Sequence, residues 1–142
     1  MDSGSSPSDA TGPLEQRVVS KNWQARSKAF EEITAMFNAA SNPAEDCFRD
    51  HSGQWKKYLG DNNPGSLEKC LDALLAFIEK SGAKMVQSTQ NEIIRSLIEK
   101  CLGHVKASIK SKAMECFLLC FEVSESFDDS QEPVIEMLNS KQ

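Results

Sequence analysis

The chain has 142 residues, of which 39% are hydrophobic and 26% charged, and its net charge is −5 at neutral pH. This size and composition are typical of one soluble folded domain or part of one, and no run of about 18 apolar residues predicts a membrane span. The negative charge argues against nucleic acid as the main partner, because a phosphate backbone requires a concentrated basic face.

The chain begins with a small polar stretch, MDSGSSPSDATG, which has no apolar core. It therefore matches neither a signal peptide nor an amphipathic transit sequence. We expect residues 1–12 to be a disordered tail and residues 13–142 to form the folded domain.

Two short helices joined by a turn are predicted between residues 14 and 37, with Asn22 as the N-cap of the second. Trp23 falls in this polar turn, between Lys21 and Arg26, and not on an apolar stripe. Such an indole either folds back as a staple over the first helical turn or is an exposed aromatic used for binding. The residue pattern leaves both alternatives open.

Helical periodicity continues along the rest of the chain, and no stretch shows the strict alternation of a half-buried strand. Asn42, Pro43 and Glu45 predict the start of a helix that continues to Leu59, and Ser88 is expected to cap a later one. A polar stretch is expected after Ser124. The remaining predicted helices span about 66–80, 88–102, 108–124 and 133–138. The predicted class is all-α.

The turns within successive helix pairs repeat along the chain. They are centred near Trp23, Asn63, Lys106 and Lys141, at spacings of 40, 43 and 35 residues, which is close to the HEAT period. We therefore expect a HEAT-repeat α-solenoid of antiparallel helix pairs, about three and a half repeats long, with these turns along one edge. The basic residues expected at that edge, which would steer an acidic partner, are Lys21, Arg26, Lys106, Lys110 and Lys141.

Three blocks of sequence carry a resemblance to a known family: LEQRVVSKNWQARSKAFEEI at 14–33, YLGDNNPGSLEKCLDALLAFIE at 58–79, and SLIEKCLGHVKASIKSKAMECFLLCFEV at 96–123. The chain resembles the N-terminal half of a TOG (tumour-overexpressed gene) domain of the ch-TOG and Mini spindles microtubule polymerases. In that family, a paddle of six HEAT repeats presents its intra-repeat loops to the αβ-tubulin heterodimer. The resemblance implies a cytoplasmic, cytoskeletal protein of the spindle and centrosome that promotes microtubule plus-end growth.

The same resemblance implies which residues contact tubulin. Trp23 corresponds to the family's principal contact in the first loop, and the other implied contacts are Lys21, Asn22, Asn62, Asn63, Ser66, Lys106 and Lys141. Lys141 departs from the pattern, because the family's basic residue in the fourth loop precedes a Pro that is missing here. The arginine of the family's fifth loop has no counterpart either, so the expected domain is truncated on its C-terminal side.

Catalytic and metal chemistry are not expected. Cys47 and His51 lie four residues apart, as do Cys116 and Cys120, but no CxxC or HxxxH pair accompanies them to complete a zinc site. The sequence also lacks a phosphate-binding glycine loop and a Ser-His-acid motif. We expect reduced, largely buried thiols, no cofactor and no enzymatic activity.

Two other functions remain open at this point. The chain could be a HEAT-type scaffold with a partner other than tubulin, and binding that weakens as salt rises would favour the basic edge over such a scaffold. It could also be a structural fragment without binding of its own. In that case apolar faces near Phe121, Val134 and Leu138 would be exposed at an open C-terminal face, where the fragment could self-associate.

Overall fold

The computed structural model describes residues 13–129, with side chains described as far as residue 125. This part of the chain is helical and contains no strand, and none of its helices is long and apolar enough to cross a membrane. The helices are α1 (Leu14–Arg17), α2 (Trp23–Ala39), α3 (Asp46–His51), α4 (Trp55–Tyr58), α5 (Pro64–Lys80), α6 (Ala83–Lys100) and α7 (Ala107–Asp129).

The helices form three consecutive pairs: α1 with α2, the short α3 and α4 with α5, and α6 with α7. The second helices of the pairs lie side by side, since α2 packs on α5 and α5 packs on α7. They run in the same direction, because the contacts between them advance together along both helices. Arg26 pairs with Asp61 and Glu31 with Lys69, and Ser108 bonds to Glu68 and Lys112 to Asp72. The predicted all-α HEAT-type solenoid is confirmed, and the turns that precede α2, α5 and α7 follow one edge.

Aromatic side chains fill the core between the first two pairs. Phe37 of α2 is fully buried at the centre of this cluster. Its ring stacks on Phe48 at 5.1 Å and meets Phe77 at 5.6 Å and Trp55 at 6.4 Å between centroids. One helix of the first pair and all three helices of the second therefore meet at a single side chain, and truncation of such a buried Phe typically costs about 3–5 kcal/mol.

Two predicted helix starts are wrong. Asn42 does not cap a helix at Pro43, because its side chain accepts a hydrogen bond from the Ala44 N–H within a turn, and α3 begins only at Asp46. Ser88 lies inside α6 and donates to the Met85 carbonyl, while the helix already begins at Ala83. The single helix expected to continue to Leu59 is instead broken between α3 and α4 around Gly53.

The last described helix is longer than predicted, and it is buried on only one side. α7 continues to Asp129, through residues that the sequence suggests are a polar connection. The run from Cys116 to Phe121 is only partly core: Cys116 and Cys120 are buried, but Leu118 and Phe121 are exposed. One face of α7 packs on α5 and α6, and Met114 is exposed on the opposite face together with Leu118 and Phe121. The helix predicted at 133–138 lies outside the described residues.

The five cysteines are free thiols, four of them buried and Cys47 partly so. Burial raises the pKa of the Cys101 thiol to about 11 and that of Cys120 to about 12. Such thiols stay protonated at neutral pH and are poor nucleophiles. Among residues 13–129, no three His, Cys, Asp or Glu side chains are grouped to hold a metal ion.

The buried pair of His51 and Tyr58 predicts how stability depends on pH. The His51 Nδ1 atom lies 2.9 Å from the Tyr58 hydroxyl. Burial lowers the pKa of His51, although the carboxylates of Asp50 and Glu15 oppose this, and burial raises the pKa of Tyr58 from 10.0 to about 12. The unfolded chain therefore protonates its histidine first as pH falls, and ionises its tyrosine first as pH rises.

We expect the free energy of unfolding, measured in urea at each pH, to decrease below about pH 6.5. On the alkaline side it should decrease from about pH 9, where the thiols of Cys101 and Cys120 begin to ionise in the unfolded chain, and Tyr58 should add to this decrease between pH 10 and about 12. His51→Gln should flatten the acid-side decrease, whereas His104→Gln, which removes the other histidine, should not. An unchanged acid-side slope in His51→Gln would contradict this assignment.

Candidate functional site

The first turn of the edge places an aromatic side chain at the start of α2. The Asn22 side chain accepts a hydrogen bond of 2.9 Å from the Gln24 N–H, which confirms the predicted N-cap. The Asn22 N–H donates in turn to the Ser20 hydroxyl at 3.0 Å. These bonds fix the backbone on both sides of Trp23, whose side chain is 42% exposed, and Lys21 beside it is exposed as well.

The indole of Trp23 also lies against the start of α5. A β-carbon placed on Gly65 would sit 3.3 Å from the Cζ3 atom of Trp23, so the missing side chain at Gly65 leaves room for the ring. The ring is therefore positioned by the neighbouring repeat and still presents a large part of its surface to solvent. This contact with α5 differs from the staple over the first turn of α2 in the first alternative, while the exposure of the ring agrees with the second.

An ion pair beneath this surface joins the first turn to the second. Arg26 donates from Nε and Nη2 to the two carboxylate oxygens of Asp61, at 2.8 and 2.9 Å, and from Nη1 to the Ser20 carbonyl at 2.8 Å. Asp61 also accepts from the Asn63 N–H at 2.9 Å and from the Ser66 hydroxyl at 2.6 Å. One carboxylate thus holds two turns from adjacent repeats in a fixed relation.

The environment of Asp61 keeps it ionised. Its side chain is only 3% exposed, and burial alone would raise the pKa of this carboxyl. The hydrogen bonds from Arg26, Ser66 and the Asn63 N–H outweigh burial and lower the pKa below its usual value. Arg26 is therefore paired with Asp61. Contrary to the expectation from the sequence, it does not provide a free positive charge at the edge.

Of the three residues predicted as contacts in the second turn, one lies at the surface and two stabilise the turn. Asn62 is exposed. Asn63 is half-buried and caps α5, because its side chain accepts from the Ser66 N–H at 3.0 Å. Ser66 is fully buried, so it lies beneath the surface as a support for Asp61 and offers no area to a partner. Sequence reasoning missed this because the bond to Asp61 has no local signature.

The third turn is tied to α5 through Glu68. This carboxylate accepts a hydrogen bond from the Ser108 hydroxyl and pairs with the Lys106 ammonium at 3.4 Å. The bond from Ser108 and then the charge of Lys106 lower the pKa of Glu68. Lys106 remains about half exposed, and Val105 beside it is 95% exposed. Val105 was missed from the sequence, where its only signal is an apolar residue within a polar turn.

The structure thus brings the predicted residues of three turns to one edge. From the first turn to the third, the exposed side chains include those of Lys21, Trp23, Asn62, Val105, Lys106 and Lys110. Lys141 lies outside the part of the chain that the structure describes. The edge combines apolar side chains, ammonium groups and an amide, a set that can bind a protein surface without chemical reaction.

Comparison with known proteins identifies relatives of this arrangement. A family model described as XMAP215/Dis1/CLASP, TOG domain, matches residues 9–142. Centrosomal protein 224 of Dictyostelium discoideum is 34% identical over 128 residues, which cover 90% of this chain and 6% of the relative. Spindle pole body component alp14 of Schizosaccharomyces pombe is 31% identical, covering 89% of this chain and 15% of the relative. The chain therefore spans a small part of the relatives' length.

A solved structure shares the fold. It was solved in a study of tubulin recruitment and assembly by microtubule polymerases with tumor overexpressed gene (TOG) domain arrays. It aligns with a TM-score of 0.67 and 27% sequence identity, over 75% of this chain and 22% of its own. The family model and the structural comparison therefore both indicate a TOG domain.

Proposed function

Because the chain belongs to the XMAP215/Dis1/CLASP TOG domain family, we propose that it is a non-catalytic module that binds the αβ-tubulin heterodimer through its loop edge. As part of a longer protein, it promotes or regulates growth at microtubule plus ends. Its place is then the cytoplasmic cytoskeleton, at microtubules, the spindle and the spindle pole or centrosome. The centrosomal and spindle pole relatives support this placement.

The observation that carries the proposal is the alignment of Trp23, Asn62 and Lys106 along one edge, each in a turn that side-chain bonds hold in place. A half-exposed indole that a partner can bury completely is the kind of side chain that dominates binding energy in protein interfaces. The neighbouring lysines steer an acidic surface towards it and fix its orientation. No reacting group is needed for this role.

Co-elution with unpolymerised αβ-tubulin on size exclusion tests the proposal. We expect the chain to elute with tubulin at low salt and less completely at moderate salt, because the exposed lysines are screened. A folded chain that never co-elutes at either salt concentration would refute tubulin binding by this part of the protein. Binding that is indifferent to salt would instead favour a partner site away from the basic edge.

Lysine substitutions at the two opposite edges test whether the position of the positive charge matters for tubulin binding. We expect Lys21→Gln to weaken tubulin binding by about 0.2–1 kcal/mol at low salt, with the difference shrinking as salt rises. Lys80→Gln removes the same charge from an exposed residue in the last turn of α5, at the opposite end of that helix. It should leave binding unchanged. Equal losses in titrations of the two variants would show that only net charge matters.

A structural role is the second candidate, and the exposed face of α7 favours it. Met114, Leu118 and Phe121 form an apolar stripe that no described helix covers. This stripe fits the side of a further repeat or of a second copy of the chain. Size exclusion of the chain alone should then show concentration-dependent self-association. A monomer at all concentrations would count against self-association through this face.

A further inference from the structure

A cavity of about 660 Å³ lies between α1, the C-terminal part of α2, α3 and α4, a volume typical of ligand pockets. Apolar side chains form one part of its wall: Leu14, Val18, Val19, Met36 and Cys47. Two of these, Val19 at 47% and Met36 at 37%, are exposed to solvent. None of the exposed side chains of the loop edge belongs to this wall. The cavity is therefore a separate surface whose exposed apolar side chains a ligand can cover.

The imidazole of His51 adds a polar group to the wall. His51 is 8% exposed, and its Nδ1 atom lies 2.9 Å from the Tyr58 hydroxyl. That hydroxyl has no other hydrogen-bond partner in the described part of the chain. Because a buried hydroxyl needs an acceptor for its proton, Tyr58 donates to Nδ1. Burial lowers the pKa of His51, so the ring is neutral at neutral pH and carries its own proton on Nε2.

The Nε2–H group of His51 is open to the cavity. Three side-chain atoms of the described residues are completely buried without a hydrogen-bond partner: Trp55 Nε1, Ser81 Oγ and Gln90 Oε1. Nε2 of His51 also has no partner among the described residues, but it is not completely buried. It therefore reaches the open space that the ring lines. Since an unpaired donor on a residue more than nine-tenths buried is unfavourable, this N–H favours a ligand that carries an acceptor.

Two carboxylates make the cavity wall negative. Glu15 and Asp50 belong to the wall and are exposed, and neither forms a salt bridge within the described residues. Both act on His51 by raising its pKa against the effect of burial, so both lie near the ring. Lys57, also in the wall, offsets only one of these two charges. A positively charged group of a ligand is therefore attracted to the cavity.

We propose that this cavity binds a short segment of a partner protein in which an apolar residue is adjacent to a basic one. The apolar side chain packs on Val19 and Met36, and a main-chain carbonyl of the segment accepts a hydrogen bond from Nε2 of His51. The basic side chain lies beside Glu15 and Asp50. Because the loop edge takes no part, this site does not depend on tubulin binding.

Titration of the ¹⁵N-labelled chain with capped dipeptides at neutral pH tests the proposal by NMR. Acetyl-leucyl-lysinamide should cause saturable shifts of the Nε2 signal of His51 and of the N–H signals of Val19 and Lys57. Acetyl-seryl-lysinamide lacks the apolar side chain and should bind roughly tenfold more weakly. Acetyl-leucyl-glutaminamide lacks the positive charge and should bind more weakly by roughly two- to fivefold.

Three results would overturn the proposal. The first is no saturable shift with acetyl-leucyl-lysinamide, or equal binding of the three dipeptides. The second is a His51 ring that carries its proton on Nδ1 in the ¹⁵N spectrum of the free chain. The third is a shift of the same signals with the concentration of the chain alone, which would show that a second copy occupies the cavity.

Two pairs of variants locate the site. Met36→Ala should weaken binding of acetyl-leucyl-lysinamide by roughly threefold or more. Met114→Ala truncates a methionine of similar exposure on α7 and should have no effect. Glu15→Gln should weaken binding by roughly two- to fivefold, whereas Glu99→Gln, at an exposed position of α6 outside the cavity wall, should not. Unchanged binding in both Met36→Ala and Glu15→Gln would contradict the assignment.

Discussion

Trp23→Ala is expected to weaken binding of αβ-tubulin by about 30-fold or more, which corresponds to a loss of at least about 2 kcal/mol. The indole already lies against Gly65 before a partner arrives, so little conformational entropy remains to be lost on binding. A partner that covers the remaining exposed surface of the ring removes this apolar surface from water, which stabilises the complex. Size exclusion should show co-elution for the unaltered chain and separate peaks for the variant.

Phe121→Ala is the matched control for this experiment. Phe121 is 46% exposed, close to the 42% of Trp23, but it lies far along α7 from the loop edge. Its loss should leave tubulin binding unchanged, and Trp23→Phe should fall between the two extremes. If Trp23→Ala retains full affinity while remaining helical by circular dichroism, the indole is not the principal contact and the proposed interface is wrong.

Asp61→Ala is expected to destabilise the fold strongly, lowering the free energy of unfolding by about 3–5 kcal/mol. The substitution leaves the mostly buried guanidinium of Arg26 without its partner and removes the acceptor of the Ser66 hydroxyl and the Asn63 N–H. Urea unfolding should show a lower midpoint with a similar slope.

The exposed pair of Lys112 and Asp72 provides the comparison, since its nitrogen–oxygen distance of 2.9 Å resembles that of the buried pair. Asp72→Ala should cost less than about 1 kcal/mol, because solvent screens both charges. If Asp61→Ala lowers the free energy of unfolding no more than Asp72→Ala does, the buried ion pair does not stabilise the fold.

The stabilisation by Asp61 also depends on pH. Because the pKa of Asp61 is lowered in the folded chain, its contribution to the free energy of unfolding is complete above the ordinary carboxyl pKa and is lost as pH falls through the lowered value.

Local patterns in the sequence were sufficient for much of this fold. Asn22 is followed by an apolar stripe of helical period, and it caps α2 as predicted. The period of the turns places Trp23, Asn62 and Lys106 on one edge, because each repeat contacts its neighbour in the same manner. These inferences hold because an N-cap and a helical stripe depend on residues within a few positions of each other.

Features that depend on distant residues were not predictable in this way. Arg26 and Asp61 lie 35 residues apart, so nothing near Arg26 shows that its charge is already paired. The start of α6 was misplaced for a different reason. Ser88 resembles an N-cap, whereas the actual N-cap, Gly82, has no side chain to signal its role and is recognised only by its positive φ.

The bonds that connect the turns have a consequence for selectivity. Arg26 and Asp61 join the first turn to the second, and Glu68 joins the start of α5 to the third through Ser108 and Lys106. The distances between the contacting side chains are therefore set when the chain folds, and they cannot adapt to a partner without breaking these bonds. An edge of fixed spacing discriminates between shapes: it binds a surface whose own contact points share that spacing and excludes chemically identical surfaces that are stretched or bent.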